Sequence, residues 1–157
     1  MSALAVAFRL QVVRPTIRRL GLWSEAAENL LLMTAAHESG GWTFCRQHPA
    51  GPALGFYQME PATLADLFAW LKLKPKWRDL MSREFHAIEP QPDRLVFDPL
   101  YATACARMQF YRRPEPLPAP ENEPELGEYA KRWWNSLAGK ATVDQYVEAY
   151  RRHTLQA

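Results

Sequence analysis

Between Ala35 and Thr63 the chain sets one acid, several glycines and one glutamine in an order that can do chemistry. Ala35, Ala36, His37, Glu38, Ser39, Gly40 and Gly41 are followed, nine residues later, by the run from Gly51 through Gly55, Phe56, Tyr57, Gln58, Met59 and Glu60 to Pro61, Ala62 and Thr63. Glu38 is the reactive candidate. A carboxylate in the last turn of a helix faces the negative end of the helix dipole, and burial among Trp42, Phe44, Phe56 and Tyr57 would further disfavour its charged form. Both effects raise its pKa. A carboxyl group that keeps its proton near neutral pH can act as a general acid towards a leaving oxygen, such as that of a glycosidic bond. A solvated glutamate near a helix end is the plainer alternative.

The element that must position Glu38 is legible. Ser24 is a fitting cap, Glu25 and Glu28 suit the positive end of a helix, and Asn29 to Ala36 are rich in Leu, Met and Ala. Gly40 and Gly41 then stop the helix. The expectation is a helix buried on more than one side that delivers Glu38 at its end.

Glu38-Ser39, the later Gly55-Phe56-Tyr57-Gln58-Met59 and the Pro61-Ala62-Thr63 helix start resemble the Glu-Ser, Gly-Leu-Met-Gln and Met-Pro-x-Thr signatures of lysozyme-like lytic transglycosylases. The step of twenty residues from Glu38 to Gln58 is close to that family's spacing. Asp98-Pro99-Leu100-Tyr101-Ala102 and the helix of Tyr111 resemble its third helical motif more faintly. The resemblance spans roughly residues 24 to 113. It implies Glu38 as catalytic acid and base, a saccharide groove lined by Gln58, and substrate-binding positions at Ser39, Gly55, Tyr57, Tyr101 and Tyr111. Some positions depart from the pattern. Pro52 stands where the family has the first glycine of its loop, with Gly51 displaced by one residue. The family's Asn and Gly of the third motif fall near Tyr101 and Cys105. Its late Tyr-Asn-Ala-Gly motif, whose tyrosine orients the acid, is echoed only by Trp133, Trp134, Asn135 and Ser136.

Glycosidases usually employ two carboxylates, and their separation sets the stereochemistry. The aspartate that a phage-type lysozyme would carry nine residues after its glutamate is here Gln47. Glu60 and Asp66 are the nearest downstream acids. Glu60 precedes Pro61 and fits helix-start electrostatics, and Asp66 fits the polar face of the same helix. A mechanism with Glu38 alone suits this pattern better, with Glu60 as the candidate second carboxylate if a water is held. The resemblance then implies cleavage between N-acetylmuramic acid and N-acetylglucosamine with closure of a 1,6-anhydro ring, and no cofactor.

The 157 residues suffice for a single domain with a substantial core. A net charge of +2 makes no demand for a nucleic acid partner. Six Trp, six Tyr and seven Phe supply flat faces that suit sugar rings, although most such side chains belong to cores. His37-Glu38 has the start of a zinc-peptidase motif, but position 41 is Gly41 rather than histidine, so no metal site is expected. Cys45 and Cys105 could pair or stay reduced.

Residues 1–20 carry Arg9, Arg14, Arg18 and Arg19 and no acid. Their apolar run is too short and its arginines lie on the wrong side for a signal peptide, and no stretch reaches the length of a membrane span. A basic amphipathic helix with Leu10, Val13, Ile17 and Leu20 on its buried side is expected. Further helices are expected over Pro61–Leu73, ended by Pro75, near Trp77–Phe85, from Pro99 to about Arg113, over Leu126–Leu137, and from Thr142, whose capping box uses Gln145, to about His153. Residues 114–125 hold five prolines and four acids and read as an extended surface loop. A small hairpin within residues 42–58 completes a mainly α, lysozyme-like domain over 1–157. The expected partner is the peptidoglycan strand, with other virion proteins as further partners. The expected setting is a phage particle, or the bacterial host cytoplasm before release. A virion or ejection-apparatus protein of the same shape with little activity is the alternative, and a saccharide- or surface-binding module using the tryptophans is a third.

Overall fold

The computed structural model describes residues 2–135 and 139–155, and the chain in it is mainly helical with almost no strand. The N-terminal segment runs as α1 (Ala3–Ala7), a π-helical turn (Phe8–Val13) and α2 (Arg14–Arg19). Pro15 accounts for the widened turn. It has no N–H to donate and its ring crowds the carbonyl one turn back, and beside it the Arg14 N–H reaches the Arg9 carbonyl rather than that of Leu10. The wider turn sets Phe8 beneath Val13, so Phe8, Val13, Ile17 and Leu20 are buried. Leu10, expected on that face, is instead 49% exposed.

The central helix α3 (Glu25–Glu38) is capped by Ser24, whose hydroxyl accepts from the Ala27 N–H. Every residue from Ala26 to Ala36 is buried. A second helix of the same kind, α7 (Pro99–Tyr111), is buried from Tyr101 to Phe110 and is capped by Asp98, which accepts from the Tyr101 N–H. Small residues make this enclosure workable. Ala102, Ala104, Cys105 and Ala106 let neighbouring backbones approach closely.

Around these two pack α4 (Pro61–Lys72), α5 (Pro75–Phe85), α6 (Arg94–Phe97), α8 (Glu123–Ala130) and α9 (Val143–Tyr150), with π-helical turns at Lys131–Asn135 and Arg151–Leu155. Helix α4 buries Leu64, Leu67, Phe68 and Leu71, the stripe expected from their spacing. Pro75 does not end it. The helix closes at Leu73, and Pro75 opens α5 as a first-turn residue whose missing N–H costs nothing there. The proline-rich loop is also shorter than expected, because the Asn122 side chain caps α8 and Pro124 lies in the first turn of that helix. The helix expected over Leu126–Leu137 therefore starts earlier, and residues 136–138 lie outside the described part. The Thr142–Gln145 capping box forms in full.

The hairpin reduces to two isolated bridges, Arg46 with Leu54 and Leu54 with Met59. Cys45 is exposed and Cys105 buried, and both are free thiols. One connected hydrophobic core joins side chains from Ala5 to Tyr150. Among the described residues no helix is long and apolar enough to cross a membrane.

Candidate active site

Glu38 is the last residue of α3, and the chain leaves the helix through left-handed conformations at Gly40, Gly41 and Trp42. Gly41 is required there on two counts: its φ is +69°, and a Cβ would collide with the His153 ring. The adjacent Ser39 is fully buried. Its hydroxyl donates to the Ala35 carbonyl at 2.6 Å and accepts from the Trp42 N–H at 2.6 Å, so it ties the turn rather than facing a ligand.

The Glu38 carboxyl opens onto a cleft of 420 Å³ shared with Gln58, Glu60 and Thr63. Phe44 and His48, stacked at 4.9 Å, form one wall. Trp134 and Gln109 belong to the rest of the lining. The single hydrogen bond to Glu38 among the described residues comes from Tyr146 of α9, whose hydroxyl donates to Oε1 at 2.6 Å. Burial raises the Glu38 pKa to about 7, and the tyrosine opposes part of that rise. Burial and the neighbouring glutamate push the Tyr146 phenol upward, so it remains a donor. His37 packs tilted against the same tyrosine, with ring centroids 4.0 Å apart, and burial holds it below the ordinary histidine range.

Gln58 sits at the head of α4 with a left-handed φ of 48°, unusual for a residue with a side chain. Its backbone N–H and its Nε2 both donate to the Gly55 carbonyl, at 3.0 and 2.7 Å. That double tie holds the strained conformation and aims the side chain into the cleft. Gly55 acts from behind: with φ +74°, a Cβ would strike the Leu95 carbonyl oxygen, so the loop lies directly on α6. Glu60 is the cap residue of α4 but makes no capping bond with its side chain, which lines the cleft.

The remaining expected binding residues lie elsewhere. Tyr57 is buried, its hydroxyl bonded to Thr103 at 3.0 Å, and only its carbonyl serves the site by accepting from the Trp134 indole at 3.0 Å. Tyr101 is buried and receives the Gln91 N–H. Tyr111 packs edge-on against Trp77. Tyr57 and Tyr101 are thus core side chains held against or within the enclosed helix α7, whereas Tyr111, at the end of that helix, is exposed. Asp66 is also outside the cleft and pairs with Arg112 at 2.6 Å.

Two residues are not marked by the sequence: Tyr146, which bonds Glu38, and Gln109, which lines the cleft. Tyr146, rather than any of Trp133, Trp134 and Asn135, bonds the Glu38 carboxyl, and Ser136 lies outside the described residues. Nothing local in the sequence marks Tyr146, because the contact joins residues 108 apart. Gln109 lies on the enclosed helix α7, where Thr103 and Arg107 are also buried, so its sequence alone does not single it out. Compared with protein-family models, curated proteins and solved structures, the chain matches none of them.

Proposed function

We propose that this protein is a lysozyme-like lytic transglycosylase that cleaves peptidoglycan, carried by a phage particle. The observation that carries the reading is Glu38: a half-buried carboxyl with a pKa of about 7, opening onto a cleft that also holds Gln58 and bonded by a phenol rather than by a cation. In the proposed reaction Glu38 gives its proton to the oxygen between N-acetylmuramic acid and N-acetylglucosamine as that bond breaks. The resulting carboxylate then takes the proton of the muramic 6-hydroxyl while O6 closes on C1. Proton and electron count balance without water, and Glu38 is returned to its acid form. Gln58 and Gln109 supply fixed amides for hydroxyl and N-acetyl groups, and Trp134 and Phe44 supply faces for the rings.

The test is mass spectrometry of fragments released from purified peptidoglycan by the wild type and by Glu38→Gln. The expected products end in anhydromuramic acid, and the substitution lowers their rate at least about 10³-fold. Reducing ends would instead indicate hydrolysis with Glu60 holding the water. No fragments from folded wild-type protein would favour a purely structural role in the particle.

A further inference from the structure

A second cavity of 570 Å³ adjoins the cleft, and Thr63 and Gln109 line both. Its own walls are Trp70 and Asp66 of α4 and the pair Arg112 and Arg113 just beyond α7. Gln109 is only 5% exposed, yet among the described residues its Oε1 has no hydrogen-bond partner, and neither have the buried Nε atoms of Arg112 and Arg113. Arg112 is neutralised by Asp66. Arg113 has no carboxylate partner among the described residues and lies against the Trp133 ring at 5.2 Å. The cavity thus holds one uncompensated guanidinium, a flat aromatic wall and an amide at its junction with the cleft.

We propose that this second cavity is a subsite for a carboxylate carried by the glycan strand beside the bond held at Glu38, with Arg113 as the binding charge. The inference rests on the reading that the first cleft holds a peptidoglycan strand. A planar guanidinium matches the two oxygens of a carboxylate, and the local balance of two arginines against Asp66 suits a single negative charge. The indole of Trp70 offers an apolar wall for the small methyl-bearing group next to such a carboxylate. Gln109 bridges the two cavities and can hold the sugar that spans them.

Two sources carry this chemistry: the lactyl carboxylate of strands stripped of peptide, and the carboxylates of the peptide stems. Calorimetry with the Glu38→Gln protein, which binds without turnover, separates them. Stripped strands are compared with the same strands amidated at the lactyl group, and stem-bearing strands with their methyl esters. The expected result is roughly tenfold tighter binding of the carboxylate form in at least one pair. Adding Arg113→Gln should reduce that preference below twofold without changing affinity for the neutral form. The pair that shows the preference identifies the source.

In the Glu38→Gln protein alone, 0.5 M salt should also erase the preference, which keeps the test independent of how well the Arg113 variant folds. Equal binding of charged and neutral forms, a preference indifferent to Arg113, or no strand binding at all would overturn the subsite. Cleavage by wild type together with equal binding removes the subsite alone. Absence of both cleavage and binding removes the peptidoglycan reading with it.

Discussion

Glu28 and Glu38 lie on one helix, about three turns apart, and both are withdrawn from solvent, yet they are built to opposite ends. Glu28, with its side chain 1% exposed, accepts from Arg14 Nε and Nη2 at 2.9 and 2.8 Å, from Arg9 Nη1 at 2.9 Å and from the Trp23 indole at 3.0 Å. Burial alone would raise its pKa, but the bonds from Arg14 and Trp23 and the two positive charges outweigh it and hold the group below the ordinary carboxylate range. Among the described residues Glu38 has one phenol and no cation as partners, and burial wins. What a buried carboxylate does is therefore decided by its partners rather than by its depth. The first glutamate fastens the N-terminal segment to α3, and the second is left with a proton to give.

The largest effect should come from breaking the fastened one. Glu28→Ala leaves two arginines facing a buried gap, and urea unfolding at pH 7 should show a loss of about 3–5 kcal/mol. A loss below 1 kcal/mol would mean the cluster is solvated and the contrast unfounded.

The next effect is one of sign. Glu38 binds its proton more tightly folded than unfolded, so its contribution to stability is fully present below the unfolded carboxylate pKa and is lost as pH rises through about 7. Relative to Glu38→Gln, the wild type should lose roughly 3 kcal/mol between pH 4 and pH 8. Glu28 runs the other way. Its contribution is present above the unfolded carboxylate pKa and is lost as pH falls through its depressed folded value. Thermal melts of wild type and Glu38→Gln across this range check the difference, and parallel curves would refute the raised pKa.

The smallest effect sharpens the comparison. Tyr146→Phe removes the one bond that favours ionised Glu38, so the alkaline limb of the pH–rate profile should move upward by up to about one unit, with up to about tenfold loss of turnover. A limb that stays in place would uncouple the tyrosine from the acid.

The helix that ends at Glu38 and the start of α4 were readable because each depends on local rules: a cap at Ser24, a stop at Gly40 and Gly41, a proline start at Pro61, whereas Gln58 was singled out by the resemblance alone. The same rules located the Asp98 and Thr142 caps. Misreadings arose where tertiary context decides. Pro75 and Pro124 look like breaks but serve as helix starts, Leu10 loses its place to the widened turn ahead of Pro15, and Tyr57 and Tyr101 are drawn into the core by the enclosure of α7. Tyr146 was invisible for a different reason, since only the packing of α9 on α3 brings it to Glu38.

That packing also sets an order in time. Glu38 is made 108 residues before the tyrosine that bonds it, which belongs to α9. Until α9 has emerged and docked, a nascent chain has Glu38 without its donor and α3 without one of its covers. The site is therefore complete only once α9 has been made, and a chain stopped short of α9 carries Glu38 without the donor that holds it.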